Sequence, residues 1–418
     1  MKYSKLFLFV FFFSFSIFSE AQDLGASDPE AIGLSSDRLK VIDQVLQKYI
    51  DKKEVPGAVA LIARKGEVGY LKSFGMRDIE NNQPMTNDAI FRIASMTKAI
   101  TTLGVMILYE QGLFKLDDPI SNYIPEFRNM KTINGDIVNQ EITFRHLLTH
   151  TSGLSNAFLG PQETYDLYFQ NGIYGGFGKT QGTIGETVKR LASLPLINQP
   201  GEKFQYGMSA DVLGYLIEII SGETLNEYFR QKIFEPLDML DTYFFLPTNK
   251  EDRLAVMYGY DENQLKRISG EAKSGFLNYS DYATYATNPN YFSGGGGLLS
   301  TASDYFNLLS MLMNEGKYKS KQIISRKSIE LMTSNQTGDL YYWGKGEVFG
   351  FGFAISKGPS ETGNLESEGT YKWLGLFNTH FWVDPEEQII GILLTQIQPN
   401  ISDIDSKFKT LVYQSIVD

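Results

Sequence analysis

The chain has 418 residues, 42% of them hydrophobic and 21% charged, which is enough to bury a large core and excludes a disordered chain. A net charge of −11 argues against a nucleic-acid backbone or an anionic lipid surface as partner, and leaves a small neutral or cationic ligand as the simpler expectation. The lack of cysteine excludes disulfides, thiolate metal sites, a Cys nucleophile and a lipidated N-terminal Cys, and three histidines (His146, His150, His380) argue against a dedicated zinc site.

In chain order, Lys2 and Lys5 precede an apolar run from Leu6 to Phe18, and Ser19-Glu20-Ala21 offers small residues where a signal peptidase reads them. The run is shorter than the ~20 residues that span a bilayer. Residues 1–21 are therefore expected to be a cleaved signal peptide, giving a secreted or periplasmic protein with no stable membrane anchor. SDRLKVIDQVLQKYIDKKEV has apolar residues at helical spacing (Leu39, Ile42, Val45, Leu46, Ile50) and predicts an amphipathic helix. GAVALIARKGEVGYLKSFGMRD reads as two strands joined at Lys65-Gly66. A helix is expected from Thr97 to Gly112.

The middle is rich in loops, Gly and Tyr, with helices expected at ADVLGYLIEIISG and LNEYFRQKIF. HFWVDP and QIIGILLTQI then read as strands, and SDIDSKFKTLVYQSIV as a closing helix capped by Ser402 or Asp403. Strands at both ends of the chain most simply pair into one sheet. The expected fold is α+β: an antiparallel sheet flanked by helices, with a mostly helical second lobe against it. No internal repeat or linker divides the chain, so residues 22–418 read as one domain of two lobes. The α/β lobe takes roughly 30–95 and 295–418, the helical lobe roughly 96–294. Ligand sites favour the cleft between such lobes.

FRIASMTKAI, residues 91–100, runs from a strand into a helix and carries Ser95 and Lys98. A serine hydroxyl is a poor nucleophile until a neighbour removes its proton. A lysine does this only when neutral, a state favoured by burial or by nearby positive charge. Spacing of three puts both side chains on one helix face, and a helix N-terminus favours a developing oxyanion. The spacing alone is weak. Ser406 and Lys409 repeat it in the last helix, where it reads as solvated surface with no apolar shell. For Ser95 the alternatives of nucleophile and helix cap stay open on these residues alone.

A histidine-based triad is the rival chemistry. His150 in LLTHTSGL reads more simply as a hydrogen-bonding structural residue, His380 lies in the expected strand NTHFWVDP, and no G-x-S-x-G elbow is present. Gly294 to Gly297 lacks the Gly-Lys-Ser/Thr ending of a P-loop, so a turn bordering the cleft is the better reading.

Five stretches together resemble the serine β-lactamase, penicillin-binding-protein and related esterase superfamily: FRIASMTKAITTLGVMILYEQG, LLTHTSGL, PGEKFQYGMSADVLGYLIEIISG, SGGGGLLSTASDYFNLLSML and WLGLFNTHFWVDPEEQIIGILLTQ. Their order covers nearly the whole mature chain. The resemblance implies that Ser95 is the acylated nucleophile, Lys98 its base, and Tyr206 a phenol that passes a proton between Ser95 and the leaving group. It also implies that Trp373-Leu374-Gly375 is the family's third element, with the backbone N–H groups of Ser95 and Leu376 forming an oxyanion hole. Lys372 is adjacent, but one step along a strand points to the opposite face. No cofactor or metal is implied, and the oligomeric state is left open.

Two departures bear on substrate. Tyr206-Gly207-Met208 stands where penicillin-recognising members have Tyr-x-Asn, and Trp373 stands where they have a cation. A lost hydrogen-bonded charge contact is worth ~1.5–3 kcal/mol, enough to erode β-lactam or peptidoglycan affinity. Apolar Met208, Trp373, Leu376 and Phe377 stand there instead, with Met208, Trp373, Leu374 and Gly375 expected to bind substrate, similar to the esterase and acyltransferase branch. The expected activity is cleavage of a small-molecule ester through an acyl-enzyme. The alternatives are a β-lactamase or D-alanyl peptidase acting on an amide, and a non-catalytic binding protein of the same fold.

Overall fold

The computed structural model describes residues 25–418 apart from 157–160, 176–179, 181, 263, 269–270, 275–276 and 281–289. The expected signal peptide lies outside the described residues. Eight strands form one sheet: β1 (Gly57–Arg64), β2 (Glu67–Asp78), β3 (Gln83–Pro84), β4 (Glu347–Phe349), β5 (Ala354–Lys357), β6 (Glu368–Gly375), β7 (Thr379–Asp384) and β8 (Ile389–Leu394). Their order is β4-β5-β6-β7-β8-β1-β2-β3, antiparallel throughout. The strands at the two ends of the chain meet where β1 pairs with β8, Val59 opposite Leu394 through Arg64 opposite Ile389.

The hairpin between β1 and β2 turns at Lys65-Gly66, both with positive φ, the conformation that matches the twist of the flanking strands. All of β1 is buried because both faces of the sheet are covered. Val59, Leu61 and Ala63 face the main core, while Ala58, Ala60 and Ile62 face a second core built with α1 (Ser36–Asp51) and α5 (Ile404–Gln414). α1 starts where the Ser35 side chain accepts the Arg38 N–H. α5 starts at Asp403, as expected, but the Asp403 carboxylate caps nothing and accepts the Tyr49 hydroxyl instead.

On the opposite face lie α2 (Thr97–Glu110), α3 (Ser209–Ser221) and α4 (Ala302–Met313). α2 is buried almost all round and packs against α3. The expected helix at LNEYFRQKIF is α-helical only over Leu225–Phe229 and continues as a π turn over Arg230–Phe234. Among the described residues no helix is long and apolar enough to cross a membrane.

Candidate active site

Phe91 and Arg92 form a short ladder with Ser300 and Leu299, and the Ile93 N–H donates to Leu298 O. This pins the chain from both sides just before a 3-10 turn, Ala94–Met96, that leads into α2. Ala94 is held at φ +44°, a left-handed conformation that costs on the order of 1 kcal/mol or more for a side chain with a Cβ. The strained turn presents Ser95 to a cavity that Tyr206 and Trp373 also line.

The Ser95 hydroxyl does not cap the helix: neither the turn nor α2 has a side-chain cap. Its partner is Lys98, whose Nζ lies 3.2 Å from Ser95 Oγ. Lys98 Nζ also donates to Gly295 O at 2.6 Å and sits 4.7 Å from the centroid of the Tyr206 ring. The glycine run that supplies this carbonyl is wedged between α2 and α3. Thr101 Oγ1 donates to Gly294 O at 2.7 Å, and a Cβ on Gly295 would stand 2.4 Å from Asp211 Oδ2. Asp211 is fully enclosed, and burial pushes its carboxyl up against the opposing effects of the Ser293 hydroxyl, the Lys98 charge and the Gly295 N–H. One residue, Gly295, thus links Asp211 through its N–H to Lys98 through its carbonyl. The sequence reading missed this link because a glycine carbonyl has no side-chain signature.

Tyr206 follows the PGEKFQ turn and is backed by LLTHTSGL: the Gln205 N–H donates to His150 O at 2.6 Å, and Ser152 and Ser209 share a hydroxyl contact of 2.9 Å. His150 is buried with its ring centroid 4.8 Å from that of Tyr206. Burial, with the Lys98 charge, pushes its imidazole down to about 3, so it stays neutral. His146 Nδ1 accepts the Thr143 N–H, and His380 Nε2 contacts Asn378 Oδ1 at 2.8 Å; neither hydrogen-bonds Ser95.

The third element is the end of β6. A Cβ on Gly375 would stand 2.4 Å from Ile93 O, so only glycine lets this strand approach the Ser95 turn. Among the described residues, the backbone N–H groups of Ser95 and Leu376 have no hydrogen-bond partner, and both residues line one cavity of about 750 Å³. Two unengaged donors beside a serine hydroxyl are the arrangement that stabilises an oxyanion.

Trp373 and Leu374 line the same cavity, Trp373 mostly buried and Leu374 half exposed. Met208 does not: its side chain is buried in the main core, and its N–H donates to Ser155 O at the entry to α3. Phe377 likewise turns into a small cluster with Ala94 and Met257. The aromatic wall comes instead from Trp343, in the loop before β4, whose ring lies 4.7 Å from Tyr206. The crowding of Tyr341, Tyr342 and Trp343 among turn residues was the available signal. Among the described residues no cluster of His, Cys, Asp and Glu could hold a metal ion.

Ser406 and Lys409, the second Ser-x-x-Lys pair, do not contact each other. Ser406 Oγ donates to Asp403 O, while Lys409 is paired with the fully buried Glu366 and is mostly buried itself, contrary to the solvated surface expected.

A family model described as Beta-lactamase matches residues 42–412. Esterase EstB of Burkholderia gladioli is 30% identical over 380 residues, covering 88% of this chain and 93% of its own. Monacolin J acid methylbutanoyltransferase of Aspergillus terreus is 26% identical over 397 residues, covering 87% of this chain and 92% of its own. Among solved structures, that of EstCE1, a hydrolase with promiscuous acyltransferase activity, is similar with a TM-score of 0.81 at 28% identity, covering 91% of this chain and 98% of that one.

Proposed function

The chain belongs to the beta-lactamase family as a serine hydrolase of its ester- and acyl-transferring kind, and from that premise we propose that it is an exported enzyme that cleaves carboxylic esters through an acyl-enzyme on Ser95. The observation that carries this reading is the contact of 3.2 Å between Ser95 Oγ and Lys98 Nζ, in a cavity walled by Trp373 and Trp343.

In the proposed reaction Lys98 is the base: its Nζ keeps one N–H on Gly295 O and faces Ser95 Oγ. Ser95 Oγ bonds to the ester carbonyl carbon as its proton passes to Lys98. The negative charge that develops on the carbonyl oxygen is met by the Ser95 and Leu376 N–H groups. When the tetrahedral intermediate collapses, the bond from carbon to the alcohol oxygen breaks and that oxygen receives a proton through the Tyr206 hydroxyl. Water, or a second alcohol, then attacks the acyl-enzyme by the reverse proton path and frees Ser95.

Esters suit this site better than β-lactams or D-alanyl peptides. Trp373 offers no charge to a substrate carboxylate, and Lys372 lies on the far face of β6, bound to Glu347 and Glu366. Export is supported by the basic and apolar composition of residues 1–21. The test is fluorophosphonate labelling with mass mapping, run beside Ser95→Ala on nitrophenyl esters and a chromogenic cephalosporin. Labelling at Ser95, burst ester hydrolysis lost in S95A and negligible cephalosporin turnover are expected. Labelling elsewhere, or full ester turnover in S95A, would sink the mechanism.

A further inference from the structure

The cavity that holds Ser95 does not end at that residue. β5 pairs with β6 only as far as Ala354 opposite Lys372, so beyond that point β6 has an open edge at Trp373 and Leu374. The cavity passes over this edge. Its first limb is lined by Ser95, Tyr206, Trp343 and Trp373, and its second, on the opposite face of the sheet, by Lys372, Trp382, Lys409 and Tyr413. Alternation along the strands explains the division: Trp373 and Phe381 are cross-strand partners on one face, Lys372 and Trp382 on the other.

The second limb holds two lysines paired with two glutamates. Lys372 Nζ is 2.6 Å from both Glu347 Oε1 and Glu366 Oε1, and Lys409 Nζ is paired with Glu366 Oε2. Both oxygens of Glu366 are therefore taken by lysines, and Glu347 Oε2 also receives the Tyr341 hydroxyl at 3.5 Å. Each ammonium has three N–H donors. Among the described residues one donor of Lys372 and two of Lys409 remain unused. The indole Nε1 of Trp382 is a further buried donor without a partner. The Tyr413 hydroxyl is occupied, donating to Asp384 Oδ2 at 2.7 Å. Asp405, 4.0 Å from His380 Nδ1, stands at the rim. The unused N–H donors of the limb lie on Lys372, Lys409 and Trp382, and its lysine and glutamate charges cancel.

We propose that this second limb is a subsite for the far end of the acyl group, and that it takes a carboxylate through the ammonium groups of Lys372 and Lys409. The proposal rests on the ester reading above. The leaving alcohol must sit beside the Tyr206 hydroxyl, at the end lined by Tyr341 and Trp343. The acyl group takes the other exit, over Leu374. A short acyl group would leave most of the cavity of about 750 Å³ empty, a volume of the size that holds a drug-sized ligand. The preferred substrate is a monoester of a long-chain dicarboxylic acid, with its ester at Ser95 and its free carboxylate beneath β6.

The test compares the nitrophenyl monoester of decanedioic acid with nitrophenyl decanoate, which has the same chain and a methyl end. The readout is the ratio of their kcat/KM values, in which any general loss of folding or catalysis cancels. The wild type is expected to favour the carboxylate-ended ester about tenfold or more, because hydrogen bonds to charged groups exceed the worth of a methyl contact. Lys409→Met is expected to bring the ratio to about one or below, with Glu366 still paired to Lys372. A wild-type ratio near one, or a tenfold preference retained in K409M, overturns the proposal. Turnover of neither ester counts against the ester reading instead. Calorimetric titration of the wild type with decanedioate and decanoate then decides the subsite, with tighter binding of decanedioate expected and equal binding overturning it.

Discussion

The indole of Trp343 lies parallel to that of Trp373, with ring centroids 6.3 Å apart and planes inclined by 11°. Trp373 is fixed in the sheet, whereas Trp343 is 43% exposed on a loop and also touches Tyr206. The pair forms the apolar wall beside Ser95. Trp343→Ala removes half of it without disturbing the core. Aromatic contacts of this kind are worth ~0.5–1.5 kcal/mol beyond burial. KM for nitrophenyl butyrate should rise by about 2- to 12-fold with kcat little changed, as steady-state kinetics would show. An unchanged KM would remove Trp343 from the substrate site.

Gly375→Ala tests the oxyanion hole through the backbone. The added Cβ would lie 2.4 Å from Ile93 O and 2.2 Å from Thr379 Oγ1, so the end of β6 must move away from the Ser95 turn. Loss of one oxyanion donor costs about 10²–10³ in kcat. That fall is expected for nitrophenyl acetate, checked against the thermal midpoint of the variant. Wild-type kcat in a folded variant would show that the Leu376 N–H takes no part.

Tyr206→Phe separates chemistry from packing. The ring keeps its contacts with His150, Trp343 and Trp373, and Lys98 keeps its place over the ring face. Only the hydroxyl is lost. Removing a group that carries a proton in the transition state costs about 10²–10⁴ in rate, and kcat should fall by that range with KM nearly constant. A variant within twofold of wild type would eliminate Tyr206 as the proton carrier.

His150 makes stability depend on pH. Burial, with the Lys98 charge, holds its imidazole down at about 3, whereas in the unfolded chain it takes a proton near 6.5. Between those values the unfolded state binds a proton that the native state does not, so stability is lost as pH falls below about 6.5. From pH 7 to pH 5 the loss from this residue is about 2 kcal/mol. Asp304, held up at about 7 by burial, contributes in the opposite sense over that range. The informative quantity is therefore a difference. Urea denaturation at pH 7 and pH 5 should show a smaller fall for His150→Asn than for the wild type. Asparagine is chosen because it tolerates the positive φ of 54° at this position. Equal falls would mean that His150 becomes protonated in the native state.

Local pattern was a good guide wherever a residue's role follows from its own neighbours in sequence. The hairpin at Lys65-Gly66, the helix from Thr97 and the terminal strands were legible because period and turn chemistry are written into short segments. The pair Ser95 and Lys98 was legible because a helix joins residues three apart on one face. Met208 was misread, since a residue two places after Tyr206 need not share its surroundings where a turn enters a helix. Lys409 was misread for the same kind of reason. Its own helix is polar, and the Glu366 that buries it comes from a loop 43 residues away.

The sequence by itself determined that Ser95 and Lys98 share one helix face, that the terminal strands are antiparallel partners and that position 373 carries no cation, because each depends on residue type and short-range spacing. The tertiary structure alone decided what surrounds Ser95. The Gly295 carbonyl that holds Lys98, the Trp343 wall and the limb beneath β6 join segments up to some 200 residues apart. Such contacts are selected by tertiary packing of helices, loops and sheet, and no local period or spacing encodes them.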